Sequence, residues 1–358
     1  MTFNFFKKLA FGLDLSDRSL KIVQLKQRKG VFDLVSFGDS NIPDGIVQNG
    51  EIKKKKELVS VLNKALDRIK GEPLQSRRVV CNLPKEKVFI QVIHLPQMKE
   101  EEIAQAVKWE AEAHIPLSID EVYLDWQIIG SSAQRLDILI AAAPRVIVKQ
   151  YLSFLKATGL EPVALEPESL AVVRSLVSFE NAKPTIIIDL GATGTNFVIF
   201  ADSAIRFTSY VKVSGQLFTK AIMKKLKVDA KEAEKMKIKV GLDKAGKKSK
   251  VYQALEPIIN DMSRQIKNYI SFYKRASDKR SPISQLLLCG GDSLLLNLPQ
   301  FLGEKLDFPV RLGNSLVNVV SADKRKQQTT LKRLGFSKRE SLTYAIAIGL
   351  ALREIEIE

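Results

Sequence analysis

Cysteine, histidine and tryptophan are the scarcest residues of this 358-residue sequence, with two of each. Cys81 and Cys289 lie far apart between apolar neighbours, which gives no disulfide framework and fits a reducing compartment. His94 and His114 have no cysteine close by, so we interpret them as structural residues and expect no zinc-type site.

Long apolar runs are also absent, because no stretch approaches the roughly 18 to 20 residues that a membrane-spanning helix needs. Residues 1–10 carry three phenylalanines and a leucine beside Lys7 and Lys8. This segment is too short for a signal peptide. It is either a weak interfacial anchor or an end that frays or contacts a partner.

Acidic residues are too few to balance the basic ones: 40 Asp and Glu against 56 Lys and Arg give a net charge of +16. Such an excess favours an anionic partner, either nucleic acid or the acidic face of a bilayer. The sequence has no zinc-finger spacing, aromatic RNA-binding signature or basic zipper. We therefore expect no nucleic acid, and a peripheral contact with an anionic membrane stays open.

Strand-like and helix-like stretches alternate along the chain, which predicts an α/β fold with ample hydrophobic residues for its cores. A compact insert of strand, helix, two strands and helix occupies 86–163. The predicted helices are 54–69, 100–114, 145–158, 216–225, 230–240, 251–275 and 341–355. The predicted strands are 11–15, 20–27, 31–37, 78–82, 88–94, 123–129, 136–143, 163–165, 185–200 with a hairpin turn at 191–194, 204–211 and 285–289.

Two stretches of the sequence, 12–25 and 187–200, share one design: an apolar strand, an aspartate, a tight turn and a second strand. Successive backbone N–H groups in such turns bind phosphate oxygens, and the aspartates Asp14 and Asp189 can hold Mg²⁺ through water. The repeat predicts two turns that face each other across one cleft and hold a triphosphate. The alternative is a pair of purely structural hairpins.

With these two turns the sequence resembles the actin/Hsp-type ATPase superfamily, whose fold has two duplicated ribonuclease-H-like halves. The resemblance implies a first phosphate loop at 14–21, a second phosphate loop at 189–195, an adenosine loop at 286–293 and connecting helices near Glu166 and Tyr344. It implies ATP and Mg²⁺ as ligands, with Asp14 and Asp189 on the metal side. Glu166 is the implied residue that orients the attacking water. The implied nucleotide-binding residues are Asp14, Ser16, Ser19, Lys21, Asp189, Gly191, Thr193, Gly194, Thr195, Glu234, Lys237, Gly290, Gly291 and Asp292.

The insert at 86–163 narrows the resemblance, since FtsA and PilM proteins carry such a subdomain, called IC. The runs WEAEAHIP and AAAP…GLEP are similar to the PilM family. That family implies a cytoplasmic protein at the inner membrane that takes part in type IV pilus assembly and recruits the N-terminal tail of PilN. Self-association is a further possibility. The implied division is 1–85 with 164–188 and 335–358 as lobe I (subdomain IA), 86–163 as IC, and 189–334 as lobe II (IIA/IIB).

The first phosphate loop departs from the superfamily pattern: Ser16 replaces a glycine, and Asp17 and Arg18 replace small residues. A carboxylate at Asp17 would repel phosphates unless Arg18 or Mg²⁺ offsets its charge. Three functions therefore stay open. The chain is an ATP-binding scaffold that is at most a weak ATPase, a nucleotide-free pseudo-ATPase that binds a peptide, or a small-molecule kinase, for which no catalytic aspartate is marked.

Overall fold

The protein folds into two compact units, and the computed structural model describes residues 10–28, 31–243, 249–276, 281–319 and 331–353. The first unit comprises the chain up to Leu176 and from Ser315 onward, and the second comprises Val177–Asn314. The unit boundaries therefore precede the boundaries at 188/189 and 334/335 that the resemblance implies. At the first boundary the reason is that the first strand of the repeat at 187–200 is a central strand of the second unit's sheet.

The first unit is built on a six-stranded sheet with the order β11-β7-β1-β2-β3-β6. The strands β1, β2 and β3 form the predicted antiparallel meander, whereas β7 runs parallel to both β1 and β11. Every residue of β1 is buried, and all of them except Asp14 are apolar or glycine. The strands are β1 (Phe11–Leu15), β2 (Ser19–Arg28), β3 (Val31–Asn41), β6 (Lys70–Gly71), β7 (Arg78–Leu83) and β11 (Glu161–Pro167).

Helices cover the first sheet with buried apolar faces. The helix Ala345–Ala351 packs directly on β1, because a Cβ at Gly12 would come within 2.1 Å of the Ala347 carbonyl oxygen. Other helices bury leucine, isoleucine and aromatic residues in the same core as β1 and β7. Outside the insert, the helices of this unit include α1 (Lys55–Leu66), α3 (Arg145–Ala157), α4 (Glu168–Leu176), the short helix Lys338–Ser341 and Ala345–Ala351.

The insert forms its own layer, a three-stranded antiparallel sheet with the order β8-β10-β9. The strands are β8 (Phe89–Pro96), β9 (Val122–Ser131) and β10 (Arg135–Pro144). Helix α2 (Glu100–His114) lies on one face, and its Ile103, Val107 and Ala111 join the core of this layer. Helix α3, predicted as the insert's second helix, instead buries Tyr151 and its apolar neighbours in the core of the first sheet.

The second unit repeats the strand order of the first in a five-stranded sheet, β14-β13-β12-β15-β16. Its first two hairpin-linked strands are antiparallel, and β12 runs parallel to β15, as β1 does to β7. The strands are β12 (Thr185–Leu190), β13 (Thr195–Ala201), β14 (Ala204–Val211), β15 (Gln285–Cys289) and β16 (Val310–Leu312). The helices are α5 (Gly215–Leu226), α6 (Ala230–Val240), α7 (Lys250–Ala276) and α8 (Leu298–Leu306).

Several predicted elements differ from the structure. Helix α1 ends three residues before the predicted end at 69, and the chain reverses before Gly71, whose φ is +105°. The predicted helix 341–355 is broken by a 3-10 turn at Leu342–Tyr344, and its last residues, 354 and 355, lie outside the described residues. The small hairpin of β4 (Val47–Gln48) and β5 (Glu51–Ile52) was not predicted. Of the helices in the described residues, none combines the length and apolarity needed to cross a membrane.

Candidate functional site

The first phosphate loop is a tight turn between β1 and β2. The last pair of residues before the turn is Leu15 of β1 and Leu20 of β2. Ser16 closes it, because its N–H donates to the Ser19 carbonyl oxygen (2.9 Å) and its hydroxyl accepts from the Ser19 N–H (3.2 Å). None of the residues 16–18 has a positive φ. The turn therefore does not need the glycine that Ser16 replaces.

Asp14 and Lys21 face each other across the β1–β2 pair at the base of this loop. The Lys21 ammonium lies 3.6 Å from an Asp14 carboxylate oxygen and donates to the Ser19 hydroxyl at 3.1 Å. Asp14 is buried, and a buried carboxylate needs such a partner. The structure thus brings together all four residues that the resemblance implied for the first loop: Asp14, Ser16, Ser19 and Lys21.

The two unusual residues of the loop, Asp17 and Arg18, turn their side chains to other parts of the unit. The Asp17 carboxylate accepts the N–H groups of Asn49 (2.7 Å) and Gly50 (2.9 Å), and Arg18 forms an ion pair with Asp44. Two backbone N–H donors partly compensate the Asp17 charge. Arg18 therefore does not neutralise Asp17, which was one of the two compensations that the sequence suggested.

A buried polar group that the sequence did not indicate supports the end of β1. The Asn82 side chain accepts the Leu15 N–H at 2.7 Å, and its amide donates to the Leu15 carbonyl (3.1 Å) and to Glu168 (3.0 Å). Lys85 lies 3.4 Å from the other Glu168 carboxylate oxygen. Asparagine inside the apolar strand RVVCNL is the signal that marks this position, because a buried polar side chain needs partners.

Glu166 lies in strand β11 and not in the connecting helix that the resemblance implied near it. Strand β11 ends at Pro167 and α4 begins at Glu168. The Glu166 carboxylate is 1% exposed, with one oxygen 2.7 Å from Arg174 and the other 2.5 Å from Arg353. Arg174 also donates to the Gly349 carbonyl at 2.9 Å, so this ion-paired group ties β11, α4 and the helix Ala345–Ala351 together.

The second phosphate loop is the turn between β12 and β13. The Gly191 N–H donates to the Gly194 carbonyl oxygen at 3.0 Å, and the first N–H group of α5, at Gly215, donates to Gly191 at 3.1 Å. Gly194 is required by packing, since a Cβ there would meet the Tyr210 ring at 2.3 Å. Thr195 donates its hydroxyl to Val213 at 2.6 Å, which fixes the strand that leaves the loop.

Both phosphate loops leave two successive backbone N–H groups open at their tips. In the part of the chain that the structure describes, the N–H groups of Asp17 and Arg18 donate to no acceptor, and neither do those of Ala192 and Thr193. Successive N–H groups in a turn form an anion-binding concavity. A phosphate group therefore fits each loop by the donors that it presents.

Asp189 lies at the end of β12 beside the adenosine loop. It is paired in register with Cys289 of β15, whose thiol lies 3.8 Å from an Asp189 carboxylate oxygen. Gly290, the next residue, has φ +83°, and a Cβ there would lie 2.6 Å from the same Asp189 oxygen. The chain therefore turns sharply at Gly290, and the turn places the glycine backbone against Asp189.

An ion-paired cluster joins helix α6 to the adenosine loop. The Lys237 ammonium, on a buried side chain, lies 2.6 Å from Asp292 and 2.9 Å from Glu234. Burial raises the pKa of Asp292 above its usual range, although the charge of Lys237 acts in the opposite direction. Gly215 closes the cluster, because a Cβ there would come within 1.9 Å of the Asp292 carboxylate. Sequence reasoning named Glu234, Lys237 and Asp292 but missed Gly215.

Each unit thus carries its own set of the implied nucleotide-binding residues. The first has the loop at 14–21, and the second has the loop at 189–195, the turn at Gly290–Asp292 and the pair on α6. That one nucleotide contacts both sets stays a prediction.

Comparisons with known proteins agree with this architecture. A solved structure described as a PilM–PilN type IV pilus biogenesis complex is 25% identical, with a TM-score of 0.78 over 97% of this chain and 98% of the other. MreB 5 of Spiroplasma citri, solved with AMPPNP, is 14% identical with a TM-score of 0.51, over 91% of this chain and 99% of the other, and shares the fold. The protein therefore has the actin-like ATPase fold.

Sequence relatives lead to the same superfamily. The cell division protein FtsA of Neisseria meningitidis serogroup B is 25% identical over 207 residues, which is 52% of this chain and 50% of that protein, so the match spans half of the relative's length. The profile of the family described as type IV pilus assembly protein PilM matches residues 12–355. Because that match covers nearly the whole sequence, the chain belongs to the PilM family of type IV pilus assembly proteins.

Proposed function

We propose that the protein is an ATP-binding scaffold of type IV pilus assembly that holds the N-terminal segment of a PilN-like protein at the cytoplasmic face of the inner membrane. The observation that carries the ATP proposal is the pair of phosphate loops. Each follows a strand with a buried aspartate, and each leaves two successive N–H groups open. Phosphate oxygens are the acceptors that such donors suit.

The open backbone N–H groups of the two loops are the proposed donors to the phosphates of the ligand. Phosphate oxygens would accept from Asp17 and Arg18 in one loop and from Ala192 and Thr193 in the other. No group of three or more His, Cys, Asp or Glu side chains among the described residues is placed to hold a metal ion by itself. Asp14 and Asp189, each at the base of its own loop, are the carboxylates that would hold Mg²⁺ through water, and the ion would neutralise phosphate charge.

The cluster around Lys237 suits the nucleoside rather than the phosphates. Its ammonium is already paired with Asp292 and Glu234, so little positive charge is left for an anion. Carboxylate oxygens are acceptors that ribose hydroxyls can donate to. Gly290 and Gly291 have no side chains to block a close approach of the sugar or base.

Slow or absent hydrolysis is part of the proposal. Orienting a water molecule requires a carboxylate oxygen that can accept its proton. Both oxygens of Glu166 are taken by the guanidinium groups of Arg174 and Arg353. A bound ATP would then act by holding a conformation and not by turnover.

The nucleotide part of the proposal is tested by calorimetry with ATP and Mg²⁺. We expect Asp189→Ala to abolish detectable ATP binding, because the loop loses the carboxylate beside its bound metal and phosphates. Asp261→Ala, which removes an exposed carboxylate from α7, is the matched control and should bind as the wild type does. Thermal unfolding of both variants checks that they fold.

Unchanged ATP affinity in Asp189→Ala would refute this placement of the phosphate site. A wild-type protein that binds no ATP but still binds the PilN-like peptide would be a pseudo-ATPase scaffold. Only the altered first loop favours that alternative, because the negatively charged Asp17 would repel phosphates there.

The partner part of the proposal is tested with an immobilised peptide that has the N-terminal sequence of a PilN-like protein from the same organism. The PilM–PilN complex, which matches this chain over nearly its whole length, supports this choice. We expect binding at micromolar concentrations and none to a scrambled peptide of the same composition. Absence of binding at those concentrations would contradict the proposed partner.

A further inference from the structure

The β4–β5 hairpin is a small element that side chains from distant parts of the first unit hold in place. Its two-residue turn, Asn49-Gly50, has positive φ at both positions (48° and 76°), the geometry of a type I′ turn. Gly50 also packs closely on Pro84, since a Cβ there would come within 2.3 Å of the proline ring. Glycine is therefore demanded at position 50 by backbone conformation and by space.

The first phosphate loop holds one side of this hairpin. Asp17 accepts the N–H groups of both turn residues, Asn49 and Gly50, at 2.7 and 2.9 Å. Charge-assisted bonds of this length are about twice as strong as neutral ones. The same residue has an open backbone N–H at the tip of the loop. Asp17 therefore presents its N–H toward a phosphate and its carboxylate toward the hairpin.

The two chain segments that flank the insert hold the other side of the hairpin. Tyr151 of α3, the helix that directly follows β10, is fully buried and donates its hydroxyl to the Gly50 carbonyl at 3.1 Å. Lys87, just before β8, lies 2.5 Å from the Glu51 carboxylate. Hydrogen bonds from Lys53 and Lys87 lower the pKa of Glu51 to about 2, so this pair is charged at neutral pH.

We propose that this hairpin relays nucleotide occupancy of the first phosphate loop to the insert, with Asp17 as the positioning residue that senses the phosphate charge. The inference rests on the proposed ATP binding. A triphosphate bound at the N–H groups of Asp17 and Arg18 would lie close to the Asp17 carboxylate, and the two negative charges would repel each other. The repulsion weakens the bonds that fix Asn49 and Gly50, and ATP thereby favours a state in which the hairpin is less tightly held.

This relay also explains why the loop departs from the superfamily pattern. A small residue at position 17 would accommodate phosphate without repulsion but would have no carboxylate to reach the hairpin. Asp17 weakens phosphate binding through its charge, and in return it connects the loop to the insert. The insert then responds to nucleotide without contacting it.

The test is amide hydrogen exchange of the full chain, measured by mass spectrometry with and without ATP and Mg²⁺. In the wild type we expect slower exchange in the first phosphate loop, where ATP binds. Exchange in 47–52 should become faster, as should exchange in α3, because Asp17 releases the turn. If the role of Asp17 were purely structural, ATP would not slow exchange in the loop while it speeds exchange at 47–52.

Three variants locate the relay. Asp17→Asn removes the charge and one acceptor, so exchange at 47–52 should rise about ten- to a hundredfold without ATP and no longer respond to it. Its ATP affinity should be equal to or tighter than that of the wild type. Tyr151→Phe should keep the response of 47–52 but lose that of α3. Asp67→Asn, which neutralises an exposed carboxylate at the C-terminal end of α1 and touches neither the loop nor the hairpin, is the matched control and should respond as the wild type does.

The outcomes separate the two proposals. Slower exchange at the first loop with unchanged or slower exchange at 47–52 would overturn the relay and leave ATP binding intact. A wild type in which ATP changes exchange nowhere would overturn the proposed nucleotide binding, and the relay would fall with it. If Asp17→Asn does not fold, the wild-type experiment is sufficient, because it shows whether ATP makes exchange at 47–52 faster or slower.

Discussion

Gly290 is the residue whose backbone the candidate site depends on most. Its φ of +83° lies in the region that L-residues with a Cβ avoid. A Cβ would also lie 2.5 Å from the Leu190 carbonyl oxygen and 2.6 Å from an Asp189 carboxylate oxygen. Both problems arise at the point where β12 and β15 end side by side. Glycine is therefore demanded here by conformation and by space.

The neighbouring glycine gives a matched comparison that tests this argument. Gly290→Ala should lower the free energy of unfolding by about 2–4 kcal/mol, the sum of a left-handed backbone and an overpacked contact. Gly291→Ala should change it by less than about 0.5 kcal/mol, because φ is ordinary there and no atom lies within 4 Å of its Cβ position. Urea unfolding of both variants measures the difference. Equal effects would show that the Gly290 geometry is wrong.

Polar residues of the site were predictable only where a local pattern marks them. Asp14 and Asp189 end apolar strands in two similar segments, and the structure places both buried beside their turns. The roles of Asp17 and Asn82 were not predictable, since their partners lie 33 and 67 residues away in the sequence. Long-range hydrogen bonds leave no periodic signal in one sequence.

Secondary-structure elements were predicted best where one periodicity spans the whole element. Helix α2 (Glu100–His114) and helix α6 (Ala230–Val240) have the predicted bounds, because apolar residues repeat along one face and capping interactions are present at their N-termini. The strand β14 (Ala204–Val211) also has its predicted bounds. Local sequence is sufficient in these cases.

Elements that tertiary contacts define were missed or misplaced. The β4–β5 hairpin has only two residues in each strand, and its turn is held by Asp17, Tyr151 and Gly50's contact with Pro84. The helix predicted at 341–355 looks continuous by composition. In the structure a 3-10 turn interrupts it where Tyr344 donates to Asp39 at 2.6 Å. A side chain with a distant partner can reset the backbone without leaving a mark in the local pattern.

The duplication is the property of the entire chain that the sequence showed most directly. In each unit three antiparallel strands form a meander. Two further strands extend the sheet in parallel on the other side of the meander's first strand. The likeness of 12–25 to 187–200 was visible because both stretches keep the same order of apolar strand, aspartate and turn. The strands that complete the two sheets carry no such likeness. Among them β7 and β15 were predicted from their apolar runs, β11 only as the shorter stretch 163–165, and β16 not at all.

The net charge of +16 is the other property of the entire chain with a consequence for function. The proposed hold on the segment of a membrane partner would place the protein beside anionic lipid, and each basic residue near such a surface contributes about 1 kcal/mol of attraction. We expect weak binding to vesicles that contain anionic lipid. Raising the ionic strength from about 0.01 M to about 0.15 M shortens the Debye length from about 30 Å to about 8 Å and should release most of the protein.

Vesicles of zwitterionic lipid are the control for this experiment and should not bind the protein, because they lack the surface charge. Co-sedimentation at several salt concentrations gives the binding curve. Binding that does not change with salt would contradict an electrostatic contact and would indicate apolar insertion. The segment 1–10 carries the phenylalanines for such insertion, although residues 1–9 lie outside the part that the structure describes. A variant without this segment then separates the two causes, since only apolar insertion would be lost with it.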